Sequence, residues 1–509
     1  HVPVTFKLIE EAGPPGLETL RTWPKINERF REYLRSEGVS PEEVLPKDIT
    51  QQLGLSLPAM GQEPIWEKVE LGSGSPEEAK SNPALFYHSH RFRAVLFADT
   101  AARTVRLLEE IWGPQTRADS GSFYPSTGQG PVLDRGIEPF ELFRRRGATW
   151  YSSEISWGWG GTPDFVGPQV ASYEAALARS LAKYHQCPLG TYIISDPNRG
   201  YNGDFLERYA YTLISQGFTD LHFYVLAYPT ECSFLSSTDV HKAIKRISYT
   251  AGALEDKLAG AEVVPAQVAI AWSATTDVWD LAHEPSGRWE VSNNIYPQER
   301  LLDYLLLRHA QVPADIISEQ DFEDGYLDRY NVLFLVGDHL RRSAADKLRA
   351  WLRRGGVLIA LAGGGLRDEY DRPVPEMLEV YGLRGEDLEK RQWCMRPKLE
   401  LVHAAPIDRL RCSWRGASVA IDAYAFRHRL DPLPETQVIG RFSNGEAGAV
   451  VNRYGDGVAM LFGVLPGLAY VKPAIPTLPY GRGGTRELSR FIPTAYDAQI
   501  RDFMWHLLG

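Results

Sequence analysis

The sequence predicts an α/β chain in three parts. These are a (β/α)8 TIM-type barrel whose N-terminal strands lie outside the chain, a flavodoxin-like α/β unit and a small β unit. Three observations predict it. Strand-like runs alternate with helical patterns over residues 1–262, as parallel β/α units require. Residues 263–390 repeat the alternation with continuous apolar strands, the texture of a sheet covered on both faces. Residues 391–509 change to alternating apolar positions punctuated by turn residues, with one closing helix.

The first part opens with a strand at Val4–Ile9 and an amphipathic helix at Ile26–Leu34. Residues 41–81 are Pro/Gly/Ser-rich and read as a long excursion. Phe92, Val95, Leu96, Val105 and Leu108 recur at near-helical spacing, predicting a helix over Phe86–Trp112 that Gly113-Pro114 terminates. Further strands are expected near 116–123, 148–154, 191–196 and 221–227, with helices at 168–186 and 203–216. That makes about five strands where a closed barrel needs eight. Open edges are costly, so either the region is a smaller open sheet or, the preferred reading, about three strands come from an upstream segment lost to cleavage or from a partner chain.

In the second part, Val268–Trp272, Asn331–Val336 and Val357–Leu361 read as strands, and Pro297–Gln311 and Ser343–Arg354 as helices. Ser343 is the expected N-cap and Gly355-Gly356 the stop. This is an open doubly wound sheet. In the third part, Ser443-Asn444-Gly445 and Tyr454-Gly455-Asp456-Gly457 mark hairpins, and Ala495–Leu508 a final helix.

The bulk numbers narrow the function. The chain has 509 residues, enough for two to four domains, and ordinary apolar and charged fractions of 44% and 24%. A net charge of −10 argues against a nucleic-acid partner. No apolar run is long enough to span a membrane. Cys187, Cys232, Cys394 and Cys412 form no metal-ligand pattern, so neither a metal nor another cofactor is expected. They read as buried thiols, with Cys394–Cys412 pairing left open for an exported protein. No signal peptide is visible, and the chain begins at His1 rather than Met. Location is therefore unassigned, with secretion or surface display after processing compatible. The aromatic content of 11% includes Trp157 and Trp159 in loop-like sequence, which suits either sugar faces or core packing.

Several motifs in order carry a resemblance. Ile9-Glu10-Glu11-Ala12-Gly13 ends the first strand, Phe30-Arg31-Glu32-Tyr33-Leu34 sits on the following helix, and Asn82-Pro83-Ala84-Leu85 leads into Arg91-Phe92. Tyr296-Pro297, Leu335-Val336-Gly337, Arg353–Leu358, Val450–Gly457 and Leu461-Phe462-Gly463 follow. In this order they resemble glycoside hydrolase family 42, the β-galactosidase-like group, from its fourth barrel strand onward. The resemblance implies a partial barrel over 1–262, a trimerisation-like domain over 263–390 and a C-terminal β domain over 391–509.

It also implies retaining hydrolysis of O-glycosidic bonds by two carboxyl groups. Glu11 matches the proton donor. Asp196, in Ile194-Ser195-Asp196-Pro197, stands near the family's nucleophilic Glu and is one methylene shorter; Glu154 is the other candidate. Glu10 stands where the family has Asn. Glu10, Trp157, Trp159, Tyr228 and Glu231 are the expected sugar-binding residues, with carbohydrate as partner and a homo-oligomer, trimer or larger, as assembly. The alternative is an inactive glycosidase-like scaffold serving assembly or carbohydrate binding. His88, His90 and His222 read as packing or hydrogen-bonding histidines. Gly363-Gly364-Gly365 lacks a nucleotide-binding pattern, and no cysteine stands at Gly337-Asp338-His339, against a glutaminase.

Overall fold

A computed structural model describes residues 4–8, 13–45, 63–119, 136–154, 169–195, 197, 202–226, 233–282, 295–391, 405–474 and 495–508. Its first strands are β1 (Thr5–Lys7), β2 (Arg117–Asp119), β3 (Tyr151–Glu154), β4 (Leu189–Ile194) and β5 (Asp220–Tyr224). β1 pairs parallel with β2, and β3, β4 and β5 form a parallel sheet in chain order. Thr149 joins the two groups. Its N–H donates to the Ala118 carbonyl at 2.9 Å, and its Oγ1 accepts from the Ala118 N–H at 3.0 Å. The result is one arc of parallel strands in sequential order.

Helices cover the outer face of the arc. The helix Pro83–Trp112 is capped by Asn82, whose Oδ1 accepts from Leu85 N–H, and it stops at Gly113 with φ +98°. Its buried Phe92 and Val95 meet Phe30 and Leu34 of the helix Ile26–Ser36 in a satellite core. The expected excursion contains short helices at Pro41–Val44, Glu63–Trp66 and Pro76–Ser81. Gln169–Ala182 and Gly203–Ser215 form helices close to the expected positions, and a further helix runs over Thr238–Leu258.

The second half adds β6 (Val268–Trp272), β7 (Ala314–Ser318), β8 (Val332–Leu335), β9 (Val357–Ala360) and β10 (Leu383–Lys390). It continues with β11 (Asp408–Trp414), β12 (Ala417–Ala423), β13 (Phe426–Pro432), β14 (Gln437–Arg441), β15 (Ala447–Tyr454) and β16 (Gly457–Phe462). The parallel strands run in the order β7-β6-β8-β9-β16, the 2-1-3-4-5 order of a doubly wound sheet. β16 is antiparallel to β15 on one side and parallel to β9 on the other. The doubly wound unit and the β unit therefore share one continuous sheet.

Side-chain alternation explains why these strands are apolar throughout. Val268, Ile270, Trp272, Phe334 and Ile359 enter one core, and Ala269, Ala271, Leu333, Leu335 and Leu358 the other. The first of these cores also takes in Tyr151, Ile193 and Leu206, so the two halves share a hydrophobic interior. The hairpin turns fall where expected, with Gly445 and Gly455 at φ +87° and +64°.

One cap differs from expectation. The helix spans Arg342–Arg353 with Arg341, not Ser343, at the N-cap. The Glu369 carboxylate accepts from Arg342 N–H at 2.8 Å, while the Ser343 hydroxyl donates to Glu323. An acidic side chain from a distant loop satisfies the helix start instead of the local serine.

Candidate functional site

Successive residues of a strand point to opposite faces. Leu221 and Phe223 of β5 pack toward the helices, which leaves Asp220, His222 and Tyr224 on the concave face. The concave face of β4 carries Gly190 and Tyr192. The same face takes Arg117 from β2 and Lys7 from β1.

These side chains meet across the arc. Lys7 Nζ lies 4.2 Å from the centroid of the Tyr192 ring, a cation–π contact between strands that are not neighbours. The arc is thus curled enough for β1 to face β4. The Tyr192 ring stands edge-on to His222 at 5.9 Å, and His222 lies 5.8 Å from Trp150. Gly190 is required by this packing, because a Cβ there would lie 2.7 Å from the Trp150 ring. One layer down, Arg117 bridges to Asp220 at 3.2 Å. In register beside Lys7 is Asp119, which ends β2 and is buried.

The concave face is therefore a floor of aromatic rings with Lys7 and the Asp119 carboxylate at its rim. Tyr192 is half-buried and His222 and Tyr224 are exposed, so the floor is open to a ligand. Aromatic faces suit the apolar C–H surface of a sugar, and Lys7 suits a polar substituent. Parallel barrels place their chemistry at the C-terminal strand ends.

Glu154 closes β3, with its backbone in register with Tyr192. Glu10, Glu11, Trp157, Trp159, Asp196, Tyr228 and Glu231 lie outside the described residues. Lys7, Asp119 and Tyr192 are additions that the sequence alone did not single out. The signal that finds them is the period of two in each strand once the strand is placed.

His88 and His90 are buried as expected. His88 bonds Tyr33 and Tyr370 at 3.3 and 2.9 Å, and His90 bonds the Gly74 carbonyl at 3.1 Å. Burial holds His88 down at about 3 and His90 at about 4, so both are neutral. Cys412 is a buried free thiol and Cys187 a half-buried one, pushed by burial up to about 12 and about 11. Cys232 and Cys394 lie outside the described residues.

A second place for ligands is the switch point of the doubly wound sheet, beyond β6 and β8. Here it is filled by the chain's own side chains. His339 stacks on Trp279 at 5.2 Å, with Nδ1 2.8 Å from Asp338 and Nε2 3.1 Å from Asp371. Lys390 pairs with Asp338 from β10. Thr276 Oγ1 donates to the His339 carbonyl at 2.9 Å. The Gly363-Gly364-Gly365 turn packs equally closely: a Cβ on Gly363 would lie 2.4 Å from Tyr296 Oη. Among the described residues no cluster of His, Cys, Asp and Glu could hold a metal, and no helix is long and apolar enough to cross a membrane.

No protein-family model and no curated protein matches the chain. Solved structures do match in fold. Gan42B, a GH42 β-galactosidase from G. stearothermophilus solved as a catalytic mutant, superposes with a TM-score of 0.60 at 16% identity over 86% of this chain. A β-galactosidase from Bacillus circulans sp. alkalophilus gives 0.62 at 13% identity over 95% of this chain. One from the haloarchaeon Halorubrum lacusprofundi gives 0.60 at 14% identity over 95%. The chain spans 62%, 67% and 69% of the lengths of those proteins, respectively. Its fold is that of these glycosidases.

Proposed function

We propose that the chain is a glycoside hydrolase of the β-galactosidase-like kind, cleaving O-glycosidic bonds with retention. The observation that carries this reading is the curled parallel arc, whose concave face gathers Lys7, Tyr192 and His222. The likeness in fold to β-galactosidases supports it.

In this reading residues 1–262 belong to a (β/α)8 barrel, 263–390 to a flavodoxin-like, trimerisation-like unit and 391–509 to a small β unit. Glu11 at the end of β1 donates a proton to the leaving oxygen. Asp196 after β4, or Glu154 at the end of β3, attacks the anomeric carbon. Water then releases the sugar, with Glu11 now acting as base. Glu10, Glu231, Trp157, Trp159 and Tyr228 hold the sugar above the Tyr192 floor. The assembly is a homo-oligomer. A retaining pair stands about 5–5.5 Å apart, which only one of the two second carboxylates can satisfy with Glu11.

The test is aryl β-galactoside hydrolysis by the wild type, Glu11→Gln, Asp196→Asn and Glu154→Gln. Loss of the proton donor should lower kcat about 10²–10⁴-fold, least for substrates with the most acidic leaving groups. Of Asp196→Asn and Glu154→Gln, one should abolish formation of a covalent glycosyl-enzyme and the other should not. Full activity in Glu11→Gln would end this assignment.

A further inference from the structure

Between the arc and the doubly wound sheet lies a cavity of about 560 Å³. It sits at the N-terminal ends of β4 and β7, the opposite end of the arc from Glu154. Small-molecule sites run from roughly 300 to 1,000 Å³ and favour seams between structural units. Leu189, Val263 and Pro265 give this cavity an apolar wall.

Its charged groups come from both halves of the chain. Arg179 and Lys183 lie at the end of the helix Gln169–Ala182, and Asp315 on β7. Asp315 is buried and takes Arg179 Nη2 at 2.5 Å, Lys183 Nζ at 2.7 Å and the Tyr330 hydroxyl at 2.9 Å. Arg179 Nε also donates to Gln216 Oε1 at 2.9 Å, which fixes its guanidinium plane. One carboxylate thus serves two mostly buried cations. Burial lowers the Lys183 ammonium from its ordinary value, although Asp315 opposes this.

Arg329 is the third cation. Its guanidinium lies 5.2 and 5.4 Å from the ring centroids of Tyr184 and Tyr326, which stack on each other at 3.7 Å. These rings hold it in place, and among the described residues it makes no ion pair. Glu262, the other acid on the wall, is exposed. Inside the cavity, Asp315 offsets one of three positive charges. Excess charge beside an apolar wall is costly, and an anion relieves it. A phosphate monoester brings nearly two negative charges and three acceptor oxygens, and a planar guanidinium matches its geometry. The apolar wall suits a carbon skeleton.

We propose that this cavity binds a phosphate monoester on a small organic body. Arg329, Lys183 and Arg179 face the phosphate, and Leu189, Val263 and Pro265 face the carbon skeleton. The site stands apart from the sugar chemistry of the concave face and does not depend on it.

The experiment titrates the chain with phenyl phosphate, inorganic phosphate and phenol, by calorimetry and by melting temperature. Phenyl phosphate should bind with a Kd of about 1 mM or lower and raise the melting temperature, as a ligand of the folded state must. Inorganic phosphate, which lacks the apolar body, should bind at least about threefold more weakly, and phenol not measurably. Arg329 is exposed, so Arg329→Ala should fold normally. It should weaken phenyl phosphate at least about tenfold, the worth of a charge-assisted hydrogen bond, and Arg329→Lys should recover part of the loss. Glu262→Gln removes an opposing charge and should tighten binding about two- to fivefold. The opposite signs separate a built site from loose anion condensation, which a net charge of −10 disfavours in any case.

No binding of phenyl phosphate up to about 10 mM would overturn the proposal, as would binding that Arg329→Ala leaves unchanged. Phenol binding as tightly as phenyl phosphate would overturn the anion, and inorganic phosphate binding as tightly would overturn the organic body. Sugar hydrolysis enters none of these measurements.

Discussion

The two parallel sheets of this chain are built alike and finished differently. In the second half, β6, β8 and β9 are covered on both faces, and their flanking strands are themselves paired within an eleven-stranded sheet. In the first half, β5 buries Leu221 and Phe223 only partly and leaves Tyr224 46% exposed. The same division holds for charge. Arg300 and Asp277 form a wholly buried pair at 2.9 Å, with the guanidinium 4.4 Å above the Trp272 ring. The concave face of the arc instead holds its Arg117–Asp220 pair partly in water. A sheet with a complete core can bury ions for rigidity. In the proposed reading, the arc admits a ligand and keeps its polar groups accessible.

Breaking the buried pair should have the largest effect. Arg300→Met leaves Asp277 as an uncompensated carboxylate in a closed core and should cost about 3–5 kcal/mol in urea unfolding. Arg300→Met combined with Asp277→Leu should recover much of that loss, because no charge is then stranded. The corresponding change in the arc, Arg117→Met, should cost at most about 1 kcal/mol, since water solvates Asp220. Equal losses in the two sheets would erase the distinction.

The same contrast can be drawn with one residue type. Phe334 of β8 is fully buried, and Phe334→Ala should cost about 3–5 kcal/mol. Phe223 of β5 is only partly buried, and Phe223→Ala should cost about 1–2 kcal/mol.

These differences also govern what could be read in the sequence. β6, β8 and β9 were legible because strands covered on both faces are continuously apolar. The helix Pro83–Trp112 was legible from its period and from Gly113. β7 was not, because Asp315 interrupts five residues; in the fold that carboxylate is held by Lys183 at 2.7 Å and by Arg179, partners far away in sequence. Thr238–Leu258 escaped because half of it covers nothing, so its apolar period fades after Ile247. The parallel pairing of β16 with β9 joins residues a hundred apart, and no local pattern encodes it. At the candidate site, strand-end carboxylates could be proposed from motif order. Lys7, Asp119 and Tyr192 emerge only when the strands are set in register.

Proton binding offers a smaller effect, with one buried carboxyl in each half. Glu138 caps the helix Pro139–Arg144, accepting from Phe140 and Glu141 N–H, and burial pushes it up to about 8. Glu299 accepts from Gly467 and Leu468 N–H at 2.6 and 2.8 Å and is likewise raised by burial. A carboxyl raised on folding binds its proton more tightly in the folded state. Its contribution is therefore full below the ordinary carboxylate value and is lost as pH climbs toward the raised one. Urea midpoints should fall between about pH 5 and pH 8, and Glu138→Gln and Glu299→Gln should each flatten that fall. A slope unchanged in both variants would place the titration elsewhere.

The smallest effect tests whether the arc's helix layer is locally specified although β1 and β5 each pair with one strand among the described residues. Asn82 accepts from Leu85 N–H at 3.3 Å and donates from Nδ2 to the Val44 carbonyl at 2.8 Å, tying the start of the long helix to the short helix Pro41–Val44. Asn82→Ala removes both bonds and should cost about 1 kcal/mol. Asn82→Asp keeps the cap acceptor, adds charge at the positive helix end and loses only the donor to Val44. If capping dominates, Asp should restore most of the stability that Ala removes. If Asp is as damaging as Ala, the bond to Val44 matters more, and the helix layer is held by tertiary contact rather than by its own terminus.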